Sequence, residues 1–139
     1  FHLPASAVKV FARTKGLERL ILTSDVALAG GLNPGIYRWG NKEVEVFTDN
    51  HLGLTGTGIL AGAGHLLNWD IAHFIRFTGN NLANTIPLCT INPAKIIEMP
   101  CNYGKLELSA PANLTLFHYQ TGDDRLQIVR TLRKGSVIF

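Results

Sequence analysis

The sequence predicts an α/β protein whose last third turns to short β-strands, and three observations carry this. The stretch "LPASAVKVFARTKG" has helical spacing and leads through a short turn into the continuous apolar run Leu20-Ile21-Leu22. Two glycine-rich loops follow, at 26–35 and 53–64. Beyond Pro100 the helical spacing stops, and short apolar segments alternate with turn residues. Continuous hydrophobicity suits a parallel strand covered on both faces, and helix followed by strand is half of a βαβ repeat.

Each element has its own signals. Pro4 suits a first helical turn, Ala7, Val8, Phe11 and Ala12 form an apolar face, and Gly16 ends the helix. "LERLILTSD" is the strand, and it stops on a carboxylate, Asp25, where "VALAGGLNPG" begins. "IYRW" and "EVEVFT" flank "GNK", which has the turn chemistry of a hairpin. In "LLNWDIAHFIRF", Leu66, Leu67, Ile71, Phe74 and Ile75 recur at helical spacing. "NLANTIPLCTINPAKIIEM" predicts two short helices, the second capped by Asn92 with Pro93 at its first position. "NYGKLEL", "APANLTLFHYQ" and "LQIVRTLRKGSVIF" read as strands separated by turns such as Thr121-Gly122-Asp123. Three or four strands make a poor isolated unit, so these are expected to complete a sheet begun elsewhere. The predicted division is 1–100, an α/β part, and 101–139, a β part.

Composition excludes several functions. The chain has 139 residues, a net charge of +3 and scattered Lys and Arg, so nucleic acid is not an expected partner. Cys89 and Cys101 lie in unrelated contexts without metal-ligand spacing and read as free thiols. No apolar run approaches the ~20 residues of a membrane span. The start, "FHLPASAVKVF", has no charged leader before an apolar run and no initiator Met, which predicts a chain trimmed at its front.

Four stretches, in order, carry a resemblance. "FHLP" is similar to the end of an Asp-Gly-x-His-Leu-Pro motif. "LILTSDVALAG" is similar to a strand ending in Ser/Thr-Asp-Ala before a glycine loop. "GILAGAG" is similar to a Leu-Ala-Gly-Ser loop, and "TINPAKIIEMPCNYGKLELSAPANLTLF" to an Asn-Pro-Ala helix with a returning Ala-Asp-Leu-Val strand. Together they resemble the C-terminal third of the amidohydrolase superfamily, in particular the N-acetylglucosamine-6-phosphate deacetylase family. Three positions depart from that pattern. Asn113 replaces Asp, Val26 replaces the small residue after the acid, and Ala63-Gly64 stands in place of Ser.

The resemblance implies the C-terminal part of a (β/α)8 barrel, a fold of about 250 residues, plus strands of a small β-sandwich. It implies a cytoplasmic hydrolase of amide bonds that converts N-acetylglucosamine 6-phosphate, or a similar N-acetylated amino sugar, to acetate and free amine. A divalent metal, zinc or iron, is implied for the full-length enzyme. Its ligands, a Glu and two His, are expected upstream of Phe1, with none in this chain, so the fragment alone is expected to be inactive. The implied partners are an amino-sugar phosphate, the rest of the barrel or a chain completing it, and a homo-oligomeric copy.

Candidate residues follow in the same terms. By residue type alone, Asp25 is either a turn or capping aspartate or a strand-end catalytic acid. The resemblance implies the latter, beside the metal, taking a proton from metal-bound water and returning one to the departing amine. His2 resembles a substrate-binding His, and Ile59, Leu60, Ala61 and Gly62 resemble a loop lining the substrate pocket, where glycine lets backbone approach a ligand. His51, His65, His73 and His118 lack HxH or HExxH spacing and read as structural or surface residues, and Trp69 and Phe74 as core. Only Arg38 offers a basic group for a phosphate. Both glycine loops are expected to border one cleft with Asp25 at its floor. The alternatives are an amidohydrolase of the same scaffold acting on another amide, and a truncated, non-catalytic homologue.

Overall fold

The computed structural model describes residues 3–139. It is an α/β structure of four α-helices and two three-stranded antiparallel sheets. Helix α1 (Ala5–Lys15) starts on the Pro4 carbonyl, which accepts from the Ala7 and Val8 amides. It ends at Gly16, whose φ of 75° no branched residue would tolerate easily. Arg13 and Lys15 lie in its last turn, where the helix dipole favours cations.

Residues 20–25 form no strand. Leu22 N–H donates to the Leu88 carbonyl (3.1 Å), and the only ladder contact at this end is an isolated parallel bridge, Val26 to Ala63. The expected strand is thus corrected to an unpaired segment. The physical reason is that a strand exists only where another strand's edge pairs with it, and among the described residues a single bridge at Val26 is all that does.

Strands β1 (Gly35–Trp39) and β2 (Lys42–Val46) form the expected hairpin, with Trp39 opposite Lys42 and a two-residue turn through Gly40 at φ 63°. β3 (Leu52–Leu54) adds to β2. Val44, Val46 and Leu52 point inward onto Ala29 and form the first core cluster, while Tyr37 and Ala61 pack on its margin. The glycine loops are laced together beneath this sheet. Ala27 N–H donates to the Ala63 carbonyl (2.9 Å), Gly31 N–H to the Gly64 carbonyl (3.1 Å), and Ala61 N–H to the Leu52 carbonyl (2.9 Å).

Helix α2 (Leu67–Thr78) carries the second core. Ile71, Ala72 and Ile75 meet Leu126, with Leu22, Ile86, Phe117 and Ile128 packed around them. A reciprocal pair of bonds fixes the helix to the β part: Leu126 N–H donates to the Asn68 carbonyl (3.0 Å) and Asn68 Nδ2 to the Leu126 carbonyl (2.9 Å). Gly79 in the left-handed region closes the helix.

The two helices expected next are α3 (Leu82–Thr85), capped by Asn81, and α4 (Ile91–Ile96), with a 3₁₀ turn between them at Ile86–Cys89. Asn92 is not the cap. Thr90 occupies that position, and Asn92, inside the first turn, donates to the Leu17 and Leu20 carbonyls at 2.7 Å each. A buried amide serves better here, because it satisfies the backbone of the turn before the 20–25 segment. Replacing Asn92 with Ala is expected to cost about 2 kcal/mol by removing two buried hydrogen bonds. Chemical denaturation measures this, and a loss indistinguishable from zero would show the bonds to be incidental.

Residues 101–113 also differ from expectation. "NYGKLEL" forms turns rather than a strand, leaving Leu106 and Leu108 88% and 97% exposed. The second sheet comprises β4 (Leu114–His118), β5 (Gln127–Arg133) and β6 (Ser136–Val137), with a register irregularity at Leu116/Phe117. It is open, as expected. Asn113 Oδ1 accepts from the Lys134 amide at 2.9 Å, a bond that an aspartate could equally make. Among the described residues no helix is long and apolar enough to cross a membrane.

Candidate functional site

Asp25 ends the 20–25 segment in the left-handed region, at φ 49°, one residue before the Val26–Ala63 bridge. A non-glycine residue held there costs energy, and such positions concentrate at functional sites. The Ala27 and Gly31 bonds to the second glycine loop hold the chain on its far side. Asp25 is exposed to solvent rather than on the floor of a cleft. The expected enclosure fails because, among the described residues, no strand flanks residues 20–25 to close over it.

Of the predicted pocket loop, Leu60 and Gly62 line a cavity of about 200 Å³, together with Thr23 and Ser24. Ile59 lies 61% exposed outside it, and Ala61 turns onto the first core. Gly62, at φ 108°, packs where an added Cβ would stand 2.8 Å from the Ala27 Cβ. The predicted substrate-binding His2 lies outside the described residues. Arg38 is on β1, where its Nε donates to the Gly40 carbonyl (3.1 Å) as part of the hairpin turn.

The same cavity is walled by aromatic side chains of α2. His65, Trp69 and His73 stack in a column, with ring centroids 3.9 and 3.3 Å apart, and Phe77 meets His73 edge-on. His73 Nδ1–H donates to the Trp69 carbonyl (3.1 Å). Burial lowers the pKa of both histidines, and for His65 the neighbouring His73 adds to the effect. Both shifts favour the uncharged imidazole.

Asp70 stands beside it with one carboxylate oxygen, Oδ2, buried and without a hydrogen-bond partner among the described residues. Burial raises its pKa from 3.8 to about 6. Burial also pushes the Cys89 thiol up to about 11, with the Asp70 charge adding to it. Because the Asp70 value is raised on folding, ionisation opposes folding. The penalty is absent below pH 3.8, grows up to about pH 6 and is complete above it. Asp70→Asn is expected to stabilise the protein at pH 8 by about 1–2 kcal/mol, discounted for the group's partial exposure. A thermal melt checks this, and the gain should all but vanish at pH 4. An equal gain at both values would contradict it.

One arrangement escaped the sequence reading. His51, in the turn between β2 and β3, gives its Nδ1–H to Asp49 Oδ1 at 2.5 Å, and the same oxygen accepts its backbone N–H at 3.2 Å. Phe47 stacks on the imidazole with centroids 4.1 Å apart. The hydrogen bonds from His51 hold the Asp49 carboxyl below its usual range. His51 also lines the cavity shared by Leu60 and Gly62. The signal was present in the sequence as an Asp-x-His spacing at a hairpin turn.

No family model matches the chain. Its sequence and structural homologues are N-acetylglucosamine-6-phosphate deacetylases. The rat protein of that name is 26% identical over 139 residues, covering 99% of this chain and 32% of its own length. The Bacillus subtilis protein is 25% identical over 138 residues, covering 99% and 33%. Among solved structures, the Thermotoga maritima deacetylase superposes with a TM-score of 0.78 at 26% identity, over 99% of this chain and 36% of that one. The Mycobacterium smegmatis deacetylase, at 22% identity and TM-score 0.82, shares the fold. The chain spans about a third of the length of the relatives it matches.

Proposed function

We propose that this chain is the C-terminal segment of a (β/α)8-barrel amidohydrolase of the cytoplasm that deacetylates N-acetylglucosamine 6-phosphate. The observation that carries this reading is the likeness to deacetylases along 99% of the chain, with Asp25 in the left-handed region just before two interlaced glycine loops. Residues 1–100 are then the last barrel strand with its helices, and 101–139 belong to the sandwich module.

The unfinished surfaces support this division. Residues 20–25 have open edges, and the second sheet exposes Leu116, Val129 and Val137. A groove of about 1160 Å³ is lined by residues of that sheet and of α2, Leu67, Ile71, Phe117, Ile128 and Phe139 among others. Further strands of a longer chain would fill it. A homo-oligomer of the whole protein is part of the same reading.

In the reaction, water splits the acetamide C–N bond, giving acetate and a free amine. Asp25 takes a proton from the attacking water and delivers one to the amine nitrogen, and Leu60 and Gly62 shape the sugar's surroundings. Among the described residues no three His, Cys, Asp or Glu side chains gather where they could hold a metal ion. This chain's residues do not by themselves fit the divalent metal of the reading, whose ligands would have to come from outside it.

The test compares the full-length protein on N-acetylglucosamine 6-phosphate, unphosphorylated N-acetylglucosamine, an N-acetyl amino acid and a cyclic amide. The phosphorylated sugar should win in kcat/KM by at least about tenfold, the discrimination a few well-made polar contacts supply. A preference for either non-sugar amide would overturn the assignment.

A further inference from the structure

We infer that Val26 is a positioning residue for Asp25: its side chain seats against the bare Gly30 and, through that contact, fixes the backbone that carries the acid. The inference rests on the deacetylase reading and adds to it a pair of residues that bear no reacting group.

Asp25 lies between two anchors. Upstream, the Leu22 amide donates to the Leu88 carbonyl (3.1 Å). Downstream, Val26 bridges to Ala63, and the Ala27 amide donates to the Ala63 carbonyl (2.9 Å). At φ 49° the acid holds a backbone conformation that an L residue adopts at a cost. It stays there only while the surrounding chain over-determines it. The downstream anchor begins at the very next residue, so Val26 has the shortest lever on Asp25.

Val26 and Gly30 fit as knob and hole. A Cβ built on Gly30 would collide with Cγ2 of Val26, whereas the Ala27 and Ala63 carbonyl oxygens would stand 3.1 and 3.2 Å from it. Gly30 lies outside the left-handed region, so space rather than backbone conformation calls for glycine here. The branched Cβ of valine restricts its rotamers, and Cγ2 cannot swing away as the end of a flexible chain would. The Gly30 amide donates to the Ala27 carbonyl (2.8 Å) and closes the turn around the contact. Val26 is 38% exposed and belongs to neither core cluster. Its contact therefore serves the local chain path rather than the core.

The experiment uses the full-length, metal-loaded protein and acetate release from N-acetylglucosamine 6-phosphate, with thermal melts reporting folding. Gly30→Ala pushes Val26 off its seat. It should lower kcat about tenfold and leave KM nearly unchanged, inside the ~10²-fold that a misplacement of about 1 Å can cost. Adding Val26→Ala removes the colliding Cγ2, and the double variant should recover most of the loss. In the Asp25→Asn background, Gly30→Ala should add almost nothing, because a residue that acts through Asp25 then has nothing left to misplace. Hydrogen exchange of the peptide carrying Ala27 reads the same displacement without turnover: faster in Gly30→Ala and slowed again in the double variant.

If Gly30→Ala does not fold, Val26→Ala and Val26→Ile carry the test. Isoleucine keeps both γ-carbons and should retain the parent kcat, alanine should lower it severalfold, and equal values would overturn the inference. With Gly30→Ala folded, an unchanged kcat, a loss that falls on KM, or a loss that Val26→Ala does not relieve would each overturn the positioning role. So would an equal loss in the Asp25→Asn background, or exchange at Ala27 unchanged in a variant with lowered kcat. All of these leave the deacetylase reading standing. A parent that releases no acetate would overturn that reading and this inference together.

Discussion

Asp25→Asn is expected to lower kcat of the full-length enzyme by about 10²–10⁴, the usual contribution of a positioned acid/base, while leaving KM nearly unchanged. Asparagine matches aspartate in shape and can occupy the same left-handed backbone position, which Asn and Asp tolerate better than other side chains. The local chain path through Val26, Ala27 and the second glycine loop should therefore survive. What is lost is the ability to take a proton from water and hand it to the amine. Both demands fall on one group, so the loss belongs to the chemical step rather than to binding. Steady-state kinetics at matched metal content separate the two. Turnover within about threefold of the parent, far inside the range for an acid/base, would reduce Asp25 to a turn residue.

Gly64→Ala is expected to be the most damaging single change outside the core. A Cβ at this position would stand 1.8 Å from the Asn50 carbonyl oxygen and 3.0 Å from its carbon. Both atoms belong to backbone in a turn that also holds His51, and backbone cannot swing aside as a side chain would. Relief requires the β2–β3 turn to separate from the start of α2, breaking the Gly31-to-Gly64 bond with it. Overpacking commonly costs about 1–3 kcal/mol, and the backbone character of the clash places this case at or above the upper end. Gly58, with nothing within 4 Å of its would-be Cβ, is the internal control. Denaturation curves compare them, and a Gly64→Ala variant as stable as Gly58→Ala would refute the packing argument.

Elements whose partners lie nearby in sequence were the legible ones. The hairpin at 35–46 was marked by its Gly-Asn turn, and α1 and α2 by their apolar spacing and closing glycines. Residues 17–25 and 102–108 read as strands but form none, because strand propensity describes the side chains, whereas a strand exists only where another edge pairs with it. Asn92 was misplaced because Asn before Pro at a helix start is a capping signal, and nothing local reveals that Leu17 and Leu20 will need its amide. At the site, Leu60 and Gly62 share a cavity with Thr23 and Ser24 of the segment leading to Asp25, whereas Ile59 and Ala61 lie outside it. His51 was passed over because its partners, Asp49 and Phe47, give it meaning only once the turn folds them together.

The most direct test of the central claim is acetate release from N-acetylglucosamine 6-phosphate, measured in parallel for this chain alone and for the full-length protein, each incubated with zinc or iron and assayed for bound metal. The account predicts stoichiometric acetate and glucosamine 6-phosphate from the full-length protein, with metal bound, and neither metal nor acetate above background from the 139-residue chain. A full-length protein that binds metal yet leaves the acetamide intact would contradict it, as would turnover by the chain alone.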